Sequence, residues 1–216
     1  MRENPTSLWS PNEEIKKTSN LENFCRYLDK KKLFKCNQNF QKLWTWSVDN
    51  PETFWSEIWN FTKIKGEKGK RIIKQNKIFY KNKFFPDSKL NYAENLLPKR
   101  NDEIALSFLS ENGLKRNITW KKLYKDVCKF SYFLKKINLK EKDRVAAYVP
   151  NTIETIISFL SVSKNGLIWS SCSPDFGVQG VVDRFLQIKP KILITCDYYF
   201  YNGKKINIIN KIPEIL

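Results

Sequence analysis

"DRVAAYVPNTIETIISFLSVSKNGLIWSSCSPDFGVQGVVDRFLQIKPKILITC", residues 143–196, decides how this chain folds. Three apolar runs, "DRVAAYVP", "LIWSS" and "PKILITC", are separated by two amphipathic stretches. In the first stretch Ile153, Ile156, Ile157 and Leu160 share a helical face; in the second Val178, Val181, Val182, Phe185 and Ile188 do. Asn151 with Glu154 predicts a capping box at the first helix start, and Gly166 its C-terminal stop. The order is strand, helix, strand, helix, strand, with connections of a few residues. Continuous apolar strands alternating with amphipathic helices predict a parallel sheet covered on both faces. Ligands of such sheets sit beyond the carboxyl ends of the strands. Three loops occupy that rim: 149–151, 171–177 and 196–203.

Upstream, "EIALSFLS" and "LKRNITW" flank Asn112-Gly113 and predict a β-hairpin. "WKKLYKDVCKFSYFLKKI" follows as a helix with Leu123, Val127, Phe130 and Leu134 on one face and Thr119 as its cap. The first hundred residues differ in character and hold five of the seven tryptophans. Ile15, Leu21, Phe24, Cys25 and Leu28 fall at helical spacing after Ser10-Pro11, with Glu13 completing a capping box, which predicts one helix from this start. "NPETFWSEIWNF" predicts another, and its aromatics read as packing surface for a helical appendage rather than as a ligand cage. "KIKGEKGKR", residues 63–71, reads as a solvated basic loop. The fold class expected is therefore α/β: an incomplete, mostly parallel sheet with helices on both faces, preceded by a helical N-terminal extension. The expected division is 1–100 and 101–216.

The 216 residues carry a formal charge of +17, yet 32 of the 39 basic residues are lysines spread over nearly every segment. A dispersed excess of this kind is no nucleic-acid stripe, and no motif of that class occurs. There is no histidine. That removes the usual base near neutral pH, every Ser-His and Cys-His pair, and the commonest metal ligand. Cys25, Cys36, Cys128, Cys172 and Cys196 show no C-x-x-C spacing and read as reduced intracellular thiols, with no metal site expected. "MRENPTSLWSPNEE" lacks the apolar core of a signal peptide, and the longest apolar stretch, 153–169, is interrupted by polar residues. A cytoplasmic protein is expected, with no nucleic-acid and no membrane partner.

Ser171 and Ser173 have no recognisable base, and the G-x-S-x-G elbow is absent. Cys172 lacks a histidine to activate it, though a helix N-terminus nearby could lower its pKa a little. Neither G-x-G-x-x-G after a strand nor G-x-x-x-x-G-K-[ST] occurs. "CDYYFYNGKK", residues 196–205, is more informative. Asn202-Gly203 predicts a tight turn with Lys204 and Lys205 beside it. Exposed backbone N–H groups next to ammonium groups suit a phosphate; an ordinary solvated lysine pair has the same appearance.

"LWSPN", "FFPDSKLNYAENLL", "YVPNTIETIISFLSVSKNGLIWSSCSPDFGVQGVVDRFLQIKPKILITCD" and "YYFYNGK" together resemble the acetoacetyl-CoA synthetases, a branch of the acyl-adenylate-forming ligase superfamily. The likeness runs in order from Leu8 to the end. It implies an acetyl-CoA synthetase N-terminal-like extension over 1–100 and the first part of the AMP-binding α/β domain over 101–216. It implies a two-step ligase in which the carboxylate of acetoacetate attacks the α-phosphate of ATP, giving an acyl-adenylate and diphosphate, after which coenzyme A displaces AMP. Coenzyme A and Mg-ATP are the implied cofactors of the complete enzyme. The family's Ser/Thr/Gly-rich phosphate loop and its catalytic lysine have no match here, so no ATP site and no catalytic residue are expected within this chain, which reads as an N-terminal fragment. Its implied partners are acetoacetate and a C-terminal part carried on a separate chain. Aligned on Thr195-Cys196-Asp197, the arginines that hold the 3′-phosphate of coenzyme A in acetyl-CoA synthetases fall on Tyr201 and Lys204. The turn Tyr201, Asn202, Gly203, Lys204 is thus the candidate coenzyme A phosphate site. The alternative is a stand-alone, non-catalytic coenzyme A-edge or basic binding module.

Overall fold

The computed structural model describes residues 8–37 and 39–216. The stretch 1–7, part of the segment read as lacking a signal peptide, lies outside the described residues. Two compact units divide between Leu90 and Asn91.

The first unit is helical. Asn12 Oδ1 accepts from the Ile15 N–H and starts α1, Glu13–Thr18. Ser19 then turns extended, and its Oγ accepts from the Glu22 N–H to start α2, Asn20–Lys30. The single helix expected here is two helices, and the first cap is Asn12, not Ser10. Ser19 both closes one helix, donating to the Lys16 carbonyl, and opens the next. α3, Phe40–Asp49, was not anticipated; α4, Pro51–Phe61, takes Pro51 in its first turn. Phe24, Leu28 and Leu43 form a core with Phe34, Trp46, Phe54, Ile58 and Phe61 around them. The aromatics pack on one another, Phe34 on Trp46 at 4.9 Å and Phe24 on Phe61 at 5.1 Å between ring centres. Glu57 is buried among them, and its carboxylate accepts from the Tyr27 hydroxyl and the Lys31 ammonium. Cys25 and Cys36, 5.6 Å apart at Cα, form a disulfide. This corrects the expectation of five reduced thiols: the chain folds back after α2 and brings the two into bonding range. Two short strands, β1 (Ile73–Lys74) and β2 (Lys83–Phe84), pair antiparallel across the former "basic loop" region's far end.

The second unit begins with α5, Tyr92–Leu96, whose Ala93 joins Leu97 in a core with Leu123, Val127, Ile153 and Leu160. β3 (Ile104–Leu109) and β4 (Lys115–Thr119) form the expected antiparallel hairpin. Thr119 caps α6, Trp120–Lys136, as its position before the periodic run predicts. Then come β5 (Arg144–Tyr148), α7 (Ile153–Lys164), β6 (Ile168–Cys172), α8 (Val178–Ile188) and β7 (Ile192–Thr195). The cap of α7 is Thr152, one residue beyond Asn151, because Thr152 Oγ1 rather than Asn151 meets the Thr155 N–H. Gly166 has φ +68°, and a Cβ there would lie 2.9 Å from Glu141 Cγ, so the turn after α7 needs glycine twice over.

The sheet is parallel, ordered β6-β5-β7. Its alternation sorts side chains to two faces. Val145 joins Leu134, Val162 and Leu167 on the α6/α7 side; Ala146, Tyr148 and Cys172 join Val181 and Phe185 on the α8 side. The crossover from β5 to β6 and the one from β6 back past β5 to β7 run in opposite directions across the sheet, and right-handed connections then place α7 and α8 on opposite faces. After β7, β8 (Tyr198–Tyr201) and β9 (Lys204–Asn207) make a second hairpin, and α9 (Ile212–Ile215) follows.

A candidate anion-binding rim at the carboxyl end of the parallel sheet

The strand order reverses between β5 and β7, where open parallel sheets leave a crevice for ligands. The loop after β6, Ser173 to Gly177, is held to this rim by two tyrosines. Tyr148, fully buried at the end of β5, directs its hydroxyl at the carbonyls of Pro174 (2.8 Å) and Phe176 (2.9 Å). Tyr199, from β8, donates to Asp175 Oδ1 at 2.8 Å, while Ser173 Oγ donates to Asp175 Oδ2 at 2.7 Å. The hydroxyls of Ser173 and Tyr199 hold the Asp175 carboxyl below the usual carboxylate range. Burial, reinforced by the Asp175 carboxylate, pushes the Tyr199 phenol up to about 12. Both groups therefore keep the protonation states their hydrogen bond needs. Arg184 stacks over Phe176 at 4.5 Å and closes the other side of the loop.

This loop is built to be rigid and offers no nucleophile. Ser173 is engaged with Asp175, and Ser171 accepts from the Trp169 indole at 3.2 Å. Burial raises the pKa of both the Cys172 and the Cys196 thiol, so neither is poised as a thiolate. The lowering considered for Cys172 at a helix start does not occur. Among the described residues no group of three or more Cys, Asp or Glu could hold a metal ion, and no helix is long and apolar enough to cross a membrane.

The turn after β8 brings the four sequence-picked residues together. Tyr201 and Lys204 pair directly across the hairpin, so their side chains leave from one face. Asn202 (φ +48°) and Gly203 (φ +69°) form the two-residue tip, the pattern that matches strand twist in tight hairpins. Two positive φ angles in sequence leave the tip N–H groups outside the strand ladder. Gly203 N–H donates to Glu111 Oε2 at 3.2 Å. Lys205 lies 3.7 Å over the Tyr198 ring, whereas the Lys204 ammonium has no hydrogen bond or ion pair among the described residues. Sequence reasoning missed Glu111, Tyr148, Tyr199 and Asp175 as partners at this rim. Glu111 does sit beside the Asn112-Gly113 turn signal, but its partner lies 92 positions away. Elsewhere, within the first unit, a cavity of about 420 Å³ is walled by Ile15, Leu21, Phe40 and Leu43, with Lys16, Lys17, Ser19, Glu22 and Asn39 also lining it.

Comparison with known proteins gives the following. Residues 94–215, more than half of the chain, match the family described as AMP-binding enzyme. Residues 40–96 match the one described as acetyl-coenzyme A synthetase N-terminus. Acetoacetyl-coenzyme A synthetase of Rhizobium meliloti is 38% identical over 208 residues, 96% of this chain and 32% of that protein. Acetoacetyl-CoA synthetase of Xenopus tropicalis is 41% identical over 184 residues, covering 82% of this chain and 27% of its own length. The solved acetoacetyl-CoA synthetase from Streptomyces lividans superposes with a TM-score of 0.90 at 29% identity, over 98% of this chain and 33% of that one. The chain spans about a third of the length of these relatives.

Proposed function

The chain belongs to the AMP-binding enzyme family, and from that premise we propose that it is the N-terminal portion of an acetoacetate–CoA ligase. In that reaction ATP and acetoacetate give an acyl-adenylate and diphosphate, and coenzyme A then takes the acyl group with release of AMP. The observation that carries the reading is the continuity of its likeness to acetoacetyl-CoA synthetases through both units, from the helical extension to the rim of the sheet.

The part this chain plays is binding. Lys204 supplies an ammonium, and the tip of the β8–β9 hairpin supplies outward N–H groups, for the 3′-phosphate of coenzyme A. The Gly203 N–H already holds a carboxylate, which supports the turn as a donor to anions. Tyr201 offers a hydroxyl beside Lys204 in place of a second cation. Tyr148 and Tyr199 act on the neighbouring loop, whose carbonyls and carboxylate they immobilise, so that this side of a coenzyme A or acyl channel is pre-shaped. Adenylation belongs to segments outside these residues, since the Ser/Thr/Gly-rich phosphate loop and the catalytic lysine that the family resemblance calls for have no match in them; a separate chain carrying those segments is the proposed partner. Acetoacetate is the proposed acid. A cytoplasmic setting goes with this reading, and Cys25 with Cys36 would there be a reducible pair.

Calorimetric titration tests the turn. Lys204→Ala should weaken coenzyme A and leave 3′-dephospho-coenzyme A nearly unchanged. Equal losses for both would remove the phosphate contact. ATP–diphosphate exchange with acetoacetate should be absent from the 216-residue chain; measurable exchange would place the adenylation site inside it.

A further inference from the structure

Among the described residues, the carboxylate that meets the candidate phosphate turn is that of Glu111. Glu111 stands at the tip of the β3–β4 hairpin, in a turn closed by the Gly113 N–H on the Ser110 carbonyl. That hairpin is fixed in place. Ile118 is buried in the core with Leu123, and Arg116 bonds Glu154 of α7 at 2.6 Å. Glu111 is therefore delivered to the β8–β9 tip by a supported element. Its carboxylate accepts from Gly203 there, and Gly203 is its single hydrogen-bond partner among the described residues. Space is not the reason for the contact, since a Cβ on Gly203 would meet nothing within 4 Å. The site is open, carries a cation at Lys204, and has one donor taken by a monoanion.

We infer that Glu111 is a specificity-determining residue of this turn: it is an internal competitor that a ligand anion must displace from Gly203. This rests on the reading of the turn as a coenzyme A phosphate site. The chemistry of the competitor sets what can displace it. A phosphomonoester carries about −1.5 to −2 charges at pH 7 with three acceptor oxygens. It outbids a single carboxylate for a donor flanked by lysines. Phosphodiesters and carboxylates bring one charge and gain nothing over Glu111. The turn thus discriminates for a terminal phosphate monoester and stays closed to the other anions of similar size.

Glu111→Ala and Glu111→Gln in the full 216-residue chain test this. Coenzyme A should bind about two- to fivefold more tightly to Glu111→Ala, the range an exposed charge contact supports. Glu111→Gln, which keeps an acceptor and loses the charge, should fall between it and the parent. Affinity for 3′-dephospho-coenzyme A should not move. Unchanged or weaker coenzyme A binding in both variants, or an equal gain for both ligands, overturns the inference when the inorganic phosphate midpoint at Gly203 is also unmoved. A second readout separates it from the reading it rests on. Titration with inorganic phosphate, followed at the Gly203 amide by ¹⁵N NMR, should reach its midpoint at a lower concentration in Glu111→Ala. If that midpoint falls while neither protein prefers coenzyme A over its dephospho form, the competitor stands and the coenzyme A reading fails. If the midpoint is the same in both, Glu111 is no competitor.

Discussion

In the helical unit, stability comes from shape: Phe24 and Leu28 sit among the rings of Tyr27, Phe34, Trp46, Phe54 and Phe61 and the chains of Leu43 and Ile58, and the Cys25–Cys36 bond ties the middle of α2 to the loop beyond it. In the sheet unit, Leu134, Val145, Val162 and Leu167 make an aliphatic core on the α6/α7 face, Tyr148 and Phe185 join the aliphatic side chains on the α8 face, and the rim is held by directional bonds from Tyr148 and Tyr199 to one loop. The contrast teaches where each unit can tolerate change. Aromatic packing is non-directional and spreads a loss over many contacts. A buried phenol bonded to carbonyls places a loop to within a hydrogen bond, and a single atom removed releases it. The first arrangement suits an extension that only needs to be compact. The second suits an edge that must present groups to a ligand.

Four changes would break or sharpen that contrast, in order of size. Phe24→Ala should be the most damaging, costing about 3–5 kcal/mol as a large-to-small core change. Denaturant unfolding followed by tryptophan fluorescence measures it. Amide exchange should show the loss in α2 and α4 while residues 145–148 keep their protection; equal loss in β5 would mean the units are not separate in stability. Reducing the Cys25–Cys36 bond should cost less, about 2–4 kcal/mol by the usual range for native bridges. It too should spare the sheet, and an unchanged unfolding midpoint on reduction would show the bridge to be idle.

The tyrosines give the smallest and most local effects. Tyr148→Phe should cost about 1–3 kcal/mol, because the buried Pro174 carbonyl and the partly buried Phe176 carbonyl lose the donor they share. Faster exchange should be confined to the loop at 173–177. Tyr199→Phe adds a pH signature. The folded phenol titrates near 12, above the roughly 10 of an unfolded tyrosine. A raised folded pKa means the protonated form is favoured on folding, so this contribution is complete below pH 10 and is lost as pH rises from 10 toward 12. Ultraviolet titration of the parent should show one more late-ionising tyrosine than Tyr199→Phe, since burial also raises the Tyr148 phenol in both proteins. If all tyrosines of the parent ionise together near 10, the Asp175 bond is not holding the rim.

What could be read from the chain alone was whatever neighbours within a dozen positions decide. The strand–helix alternation of 143–196, the Thr119 cap, the Gly166 stop and the Asn202-Gly203 turn all follow from periodicity and local backbone preference, and each is found where expected. Misreadings were of the same local kind and shifted by a residue or two, as when Asn12 rather than Ser10 and Thr152 rather than Asn151 took the cap. α3 was missed outright, although Asn39, whose side chain accepts from the Lys42 N–H, is a local cap signal of the same kind. Only the tertiary structure could decide which distant groups meet. Cys25 finds Cys36, Tyr199 finds Asp175 and Glu111 finds Gly203 because of how elements stack, and the chain's local sequence carries no record of that stacking. A backbone's conformation is set by steric terms a few residues long, whereas a site is an intersection of segments that the fold alone brings to one place.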